Sequence, residues 1–246
     1  MRMNNLINVA ILTILAGCGG NGIGKYNGDT GAYASYDVNG PVSTPIEIGS
    51  GNMIDDLEDG DGAIIEGEGR MGFWFVYNDG SAGAEQSPPE NGDFTPGLGG
   101  PDGSAYAAHT SGSGFTEWGA GMSFDLNNPG DDKDIVDASS FTGVAFHAKG
   151  NVTIYVSVAT RAVTSEQYGG TCVPGTGEGT MCEDAHGLYF ELDPDAYQQY
   201  ALDFSTIEQG GWGQPFPFAA GEAMSVQFEA AEGVDFDIWV DEIGFY

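Results

Sequence analysis

The sequence predicts an all-β protein, a two-sheet antiparallel jelly-roll β-sandwich, on three observations. Apolar and polar residues alternate with period two in nine segments, the pattern of strands that bury one face. Glycine supplies 41 of the 246 residues and interrupts the chain at short spacing, which favours turns over long helices. Hydrophobic residues make up 41% and aromatic residues 12%, enough to bury a core, so the chain is not an acidic disordered polymer.

Strands are expected at 72–78, 105–111, 118–126, 142–149, 152–161, 187–193, 197–204, 223–230 and 234–246. The period-two rule assigns faces to three of them. In 152–161, Val152, Ile154, Val156 and Val158 face the core, and Tyr155, Ser157, Ala159 and Arg161 face out. In 142–149, Val144, Phe146 and Ala148 face in and His147 faces out. In 187–193, Leu188, Phe190 and Leu192 face in, leaving Tyr189 and Glu191 outside. If these strands share a sheet, its outer face is an aromatic and polar surface. Such a surface suits sugar rings, whose apolar C–H faces stack on aromatic rings while their hydroxyls take hydrogen bonds from a polar rim.

The first residues read as an export signal. Arg2 gives a positive start, residues 6–15 are apolar, and Leu15-Ala16-Gly17-Cys18 has the form of a bacterial lipobox. Ten apolar residues are too few to span a bilayer, which needs about 20. The expectation is a signal peptide over 1–17 and acylation of Cys18, which would anchor the protein to a membrane without crossing it. That places it in the bacterial cell envelope, at the outer membrane or cell surface. Residues 18–52, rich in Gly, Asn, Ser and Thr and without periodicity, read as a flexible tether, and 53–246 as one sandwich domain.

The 37 acidic residues against 6 basic ones give a formal charge of −31, which excludes nucleic acid and anionic membrane surfaces as electrostatic partners. Cys172 and Cys182 remain once Cys18 is assigned to acylation. An exported chain with one such pair across a turn-rich loop is expected to form a disulfide, which would hold the long connection between Arg161 and Asp184. Two acidic clusters stand at the domain ends: Asp55, Asp56, Glu58, Asp59 and Asp61 open it, and Asp241 and Glu242 lie in its last strand. First and last strands of a sandwich commonly lie side by side, so Asp56, Glu58, Asp61 and Asp241 are candidate ligands of a structural Ca2+. Asp131, Asp132, Lys133 and Asp134 read as an exposed turn.

Four segments occur in order: Ile54-Asp55-Asp56-Leu57-Glu58-Asp59-Gly60, Phe141-Thr142-Gly143-Val144-Ala145-Phe146-His147-Ala148-Lys149-Gly150, Glu208-Gln209-Gly210-Gly211-Trp212-Gly213 and Phe236-Asp237-Ile238-Trp239-Val240-Asp241-Glu242-Ile243. In sequence and order they resemble the β-sandwich carbohydrate-binding modules of the galactose-binding-like superfamily, nearest those attached to β-glucanases and cellulases. The resemblance implies a jelly roll, a calcium between the opening acidic segment and the last strand, and a glycan groove on one sheet. By position it makes Glu58 and Asp241 calcium ligands, and Arg161, Asp184, His186 and Tyr189 groove residues; Tyr155 and His147 join them as candidate sugar-binding residues from the strand alternation. His147 stands where an aromatic residue is common, and Tyr197 where Trp is common.

The function expected is non-catalytic binding of a β-glucan-like polysaccharide or cell-surface glycan. Two alternatives stand beside it. One is a glycoside hydrolase, for which Glu191 is the acid to test because hydrolysis needs two carboxylates across a cleft. The other is an adhesion or scaffold sandwich without sugar binding. The histidines are only His109, His147 and His186, and no G-x-S-x-G occurs, so neither zinc chemistry nor a serine triad is supported.

Overall fold

The computed structural model describes residues 24–27, 32–35, 37–90, 92–130, 133–177 and 179–246. The chain divides into two units, 1–37 and 38–246. In the first, β1 (Gly24–Asn27) and β2 (Ala32–Ser35) pair as an antiparallel ladder. The expected signal peptide and Cys18 lie outside the described residues, as do Asp131 and Asp132.

The second unit is a two-sheet sandwich. One sheet has the order β13 (Gln198–Asp203), β10 (Gly143–Gly150), β16 (Phe236–Phe245), β8 (Tyr106–Ser113) and β6 (Glu85–Ser87). To it β4 (Met53–Asp55) adds on β16 and β7 (Gly97–Leu98) on β8. The other runs β14 (Glu208–Gln209), β12 (His186–Glu191), β11 (Thr153–Thr160), β15 (Ala223–Ala230), β9 (Ala120–Asp125) and β5 (Trp74–Asn78), with β3 (Val38–Asn39) on β12. All pairs are antiparallel except β3 with β12. Each of the nine expected strands is present. Helix among the described residues is confined to three 3-10 turns, at Pro101–Gly103, Glu166–Tyr168 and Ala220–Glu222.

The inner faces follow the alternation. Ile154, Val156 and Val158 of β11 and Val144, Phe146 and Ala148 of β10 are buried, as are Trp74, Met122, Phe124, Phe190, Tyr200 and Phe228. Phe146 sits edge-on to Phe190 and Phe228, with centroids 5.6 and 5.3 Å away. Burial of each such side chain stabilises the fold by roughly 1.5–3 kcal/mol. Trp74 also binds the opening strand: its Nε1–H donates to buried Asp55 Oδ2 over 2.7 Å. Burial pushes the Asp55 carboxyl up to about 7, against the lowering effect of its bonds to Leu57 N–H and Trp74.

The last strand departs from simple alternation. Phe236, Ile238 and Val240 face the core, and so do Ile243 and Phe245, so the parity changes between Val240 and Ile243. The register on β10 moves from Ala145 opposite Gly244 to His147 opposite Asp241, which leaves one extra residue on β16. This is a β-bulge, with Glu242 in the left-handed region at φ 47°. It turns the Asp241 side chain into a fully buried position while returning the strand to the core. The expected side-by-side placement of the domain ends holds, since Asp55 of β4 pairs with Ile243 of β16.

Residues 38–52, read from composition as tether, pack on the sandwich. Val42 N–H donates to Gln199 O at 2.8 Å. The Gln199 side chain exchanges two hydrogen bonds with Ile46, of 2.7 and 2.9 Å. Buried Arg70 donates to the carbonyls of Gly51 and Met53. The sandwich unit therefore begins at Val38. Its opening strap is held by polar groups far along the chain, which composition cannot reveal.

Cys172 and Cys182 form the expected disulfide, and both are buried. Closing a loop of this size contributes roughly 2–3 kcal/mol in the chain-entropy account. Glu183 adds to the closure by accepting the Ser165 N–H at 2.9 Å.

Candidate functional site

The outer face of the β11 sheet is built from rows of side chains in register. One row runs Tyr77, Gly121, Glu229, Tyr155, Tyr189 across β5, β9, β15, β11 and β12. The next runs Phe75, Ser123, Gln227, Ser157, Gly187. The centre is therefore small and polar, with aromatic residues on both sides. Ser123 and Ser157 point outward yet are 0% and 2% exposed, because their larger neighbours lean across them. Outward placement on this face does not equal exposure.

Two glycines shape the aromatic walls. A Cβ on Gly187 would stand 2.7 Å from the Tyr155 ring, and one on Gly121 would stand 2.8 Å from the Tyr77 hydroxyl. Each tyrosine leans over a neighbouring glycine, which only a residue without a side chain permits. The Tyr155 hydroxyl donates toward the carbonyls of Ala185 (2.9 Å) and Glu208 (3.1 Å), which fixes the ring. Tyr155 and Tyr189 lie 4.9 Å apart at 46°. At the far edge Tyr77 stacks on Trp118 at 5.9 Å.

Trp118 and Trp212 are 44% and 50% exposed, and an aspartate positions each. Asp79 Oδ2 accepts the N–H groups of Glu117, Trp118 and Gly119 over 2.9–3.1 Å. Burial works to raise the Asp79 pKa, but these bonds and those from Ser81 outweigh it and hold the carboxyl well below its usual range. Asp184 does the same for the turn carrying Trp212, accepting from Gly210, Gly211 and Gly213 over 2.7–2.9 Å.

The sequence-derived groove residues divide accordingly. Tyr155 and Tyr189 are adjacent on this face. Asp184 is buried and both of its oxygens are taken by the 210–213 turn, so it shapes the site from behind. His186 is buried as well; its Nε2–H donates to Phe216 O at 2.9 Å, and burial lowers its pKa. Arg161 lies just beyond β11, in an ion pair with Asp134. Beside it Lys133 pairs with Asp125 at 2.8 Å and stands 5.4 Å over the Phe75 ring. The segment read as an exposed turn thus borders this face through Lys133 and Asp134. His147 does not join it: β10 belongs to the other sheet, where His147 Nδ1 lies 2.8 Å from Glu242 Oε2. Glu191 is exposed at the end of β12.

Tyr77, Trp118, Gln227, Glu229 and Trp212 were not singled out from sequence. Alternation in 72–78 holds the signal for Tyr77 and Phe75, since Trp74 and Val76 are the buried partners. The Asp79 and Asp184 clamps join distant segments and leave no local pattern.

At the domain ends, Glu58 Oε1 accepts from Ser104 Oγ (2.8 Å) and from the N–H groups of Ala105 and Tyr106. Asp241 Oδ2 meets the same hydroxyl at 2.7 Å, and Tyr106 O meets it at 2.9 Å. One hydroxyl proton faces three acceptor oxygens, two of them from carboxyl groups. Burial pushes the Asp241 carboxyl up to about 7, with the Glu242 and Glu58 charges adding to the rise. An all-oxygen set short of positive charge fits a hard cation. Asp56 and Asp61 are placed differently. Each uses Oδ1 on the N–H two residues ahead, at 3.3 and 2.7 Å. Among the described residues no three acidic, His or Cys side chains gather into a metal-holding group.

No protein-family model matches the chain. It is 27% identical over 211 residues to endoglucanase 3 of Fibrobacter succinogenes, a match covering 80% of this chain and 26% of that protein. The chain therefore spans about a quarter of that relative's length. Among solved structures it is similar to the family 11 carbohydrate-binding module from Clostridium thermocellum in complex with a β-1,3-1,4-mixed-linked tetrasaccharide. That likeness has 17% identity, covers 79% of this chain and 94% of that one, and has a TM-score of 0.48. The family 11 module of the cellulosomal cellulase Lic26A-Cel5E from the same organism is similar at 16% identity, covering 82% and 95%, with a TM-score of 0.48.

Glu229 yields a pH prediction. Burial, together with the Glu232 charge and against the lowering effect of the nearby Tyr77 hydroxyl, raises its carboxyl from 4.5 to about 7. The folded chain thus holds this proton more tightly than the unfolded one. The associated stability is fully present below pH 4.5 and is lost as pH rises through about 7. Glu229→Gln is expected to match the wild type at pH 4 and to exceed it at pH 8 by about 1–3 kcal/mol, allowing for partial solvent access. Urea unfolding at pH 4, 6 and 8 measures this; a pH-independent difference would refute it.

Proposed function

We propose that the chain binds a neutral polysaccharide of β-glucan type across the outer face of the β11 sheet, without cleaving it. The observation that carries this reading is the aromatic rim of that face, Tyr77 and Trp118 on one side and Tyr155 and Tyr189 on the other, with Gln227 and Glu229 between them. β5 and β11 are three strand spacings apart, about 14 Å. An oligosaccharide can touch both walls, whereas a monosaccharide reaches only one. The match to part of an endoglucanase supports a β-glucan ligand. The formal charge of −31 disfavours acidic glycans.

The double variant Tyr155→Ala/Tyr189→Ala is expected to lose tenfold or more in affinity for mixed-linked β-glucan in affinity electrophoresis. Tenfold corresponds to about 1.4 kcal/mol, in the range of two lost ring contacts. Unchanged retention by a folded variant would remove this face as the site.

We infer further that Glu58 and Asp241, with Ser104 Oγ and the Tyr106 carbonyl, hold a structural calcium that ties the opening loop to the last strand. A cation bound only by the folded state raises its stability by about 2.7 kcal/mol at a hundredfold excess over Kd. Melting is expected several degrees higher in calcium than in chelator, and superimposable curves would rule the site out.

Localisation follows from the leader. We propose acylation at Cys18 after removal of residues 1–17, with the sandwich held at the cell envelope by lipid alone. Cys18→Ser should move the protein from the membrane to the soluble fraction. Retention of that variant in membranes would overturn the proposal.

A further inference from the structure

The outer face of the other sheet carries a feature that the proposed function does not use. A cleft of about 610 Å3 lies there, lined by Lys149, His147, Gln198, Gln199, Tyr197 and Trp239 on its floor and walls. That volume lies within the range of ligand pockets. Its two rims are the 97–102 loop and the 42–45 strap, and both are anchored to the segment that provides the floor. The Tyr197 hydroxyl donates to Gly99 O at 3.0 Å on one side. On the other, Gln199 holds Ile46 through two hydrogen bonds. Both rims are therefore fixed to the floor by the chain's own hydrogen bonds.

A ladder of stacked groups starts beside the cleft at His109, crosses three strands and ends inside it at Tyr197. His109 lies parallel to Trp239 at 3.8 Å, and Asp237 Oδ1 accepts the Trp239 Nε1–H at 2.6 Å, which fixes the indole. Lys149 Nζ stands 5.3 Å from the Trp239 ring and 4.7 Å from the Tyr197 ring. In a chain with 37 acids and 6 bases, every cation has carboxylates in excess. Lys133 pairs with Asp125, Arg161 with Asp134, and buried Arg70 with two backbone carbonyls. Unlike these three, Lys149 has no carboxylate within 4.0 Å and no hydrogen bond to a carbonyl among the described residues. It is held between two rings and keeps its N–H groups for another acceptor.

The lining decides what that acceptor is. Asp102 and Asp195 also border the cleft, and the whole chain is strongly negative, so an anion would meet repulsion from both. An uncharged ligand that both accepts and donates hydrogen bonds meets none. Lys149 and the Gln198 amide can donate to its oxygens, Asp102 and Asp195 can accept from its hydroxyls, and Trp239, Tyr197 and Leu98 offer apolar contact. Leu98 is 78% exposed on the rim, an apolar side chain with no cover of its own. We propose that this cleft is a second saccharide site, specific for neutral sugars, on the side of the sandwich opposite the tyrosine face. A single chain would then engage two polysaccharide strands, or two stretches of one.

Titration calorimetry on the full chain tests this with three probes: cellotetraose, a β-1,3-1,4-mixed-linked tetrasaccharide and, as the acidic control, tetragalacturonate. The variants are Lys149→Met, which keeps the stem between the rings and deletes the donor, Leu98→Asp, and Tyr155→Ala/Tyr189→Ala. The expected result is two sites per chain for a neutral probe, one of which is weakened tenfold or more by Lys149→Met and by Leu98→Asp. The other site should depend on Tyr155 and Tyr189. The two proposals fail separately. One site per chain that Lys149→Met and Leu98→Asp leave unchanged, binding of the acidic probe alone, or no heat with any probe overturns the second site. Binding lost in Lys149→Met but kept by the tyrosine variant overturns the tyrosine face and leaves the cleft standing. Equal melting temperatures of variants and wild type confirm that folding is not the cause.

Discussion

The bulge at Asp241–Glu242 in the last strand is the constraint on which much of the molecule rests. β16 is the central strand of its sheet, and its inward residues on both sides of the bulge belong to one core. With strict alternation, either Ile243 and Phe245 or Ile238 and Val240 would face solvent, since period two cannot serve both halves. One inserted residue resolves the conflict and places the Asp241 carboxyl against Ser104 and Glu58. The strained Glu242 is the local cost of joining the two halves. Beside the bulge, Trp239 and Lys149 hold their register and form the cleft ladder.

The two outer faces are built by different means. The tyrosine face is shaped by absence: a glycine in the adjacent strand lets each of Tyr77 and Tyr155 lean across it, Tyr77 toward the middle of the sheet and Tyr155 toward its β14 edge. The cleft is shaped by addition, since a loop and a strap are tied over a ladder of upright side chains. In both, backbone groups are held by single polar side chains from distant segments. Asp79, Asp184, Gln199 and Tyr197 each fix a turn, strap or rim that hydrophobic packing alone would leave loose.

The strands and the inward faces of β10, β11 and β12 were legible in the sequence, because burial of one face imposes a period that needs no long-range information. The disulfide was legible from the cysteine count and the export expected from the first residues. Tyr155 and Tyr189 emerged as outward residues by the same alternation, but which strands share a sheet is a matter of topology, and His147 sits in the other one. Asp184 and His186 stand at positions that the family resemblance marked, yet they serve the protein's own backbone. The 38–52 strap was hidden because its partners, Gln199 and Arg70, lie elsewhere in the chain, and hydrogen bonds of this kind leave no periodic trace.

The excess of acid also takes on a place in the fold. Asp56, Asp59, Asp61, Asp79, Asp137, Asp193 and Asp203 each accept the N–H two residues ahead, closing a turn with one carboxyl oxygen. A glycine-rich sandwich needs many such turns, and aspartate closes them while adding one negative charge each time. The same residues that fold the loops thus add to the negative charge of the surface. Molecules crowded side by side on any uncharged surface would repel one another. Coverage would therefore spread as a sparse, even layer instead of collapsing into patches.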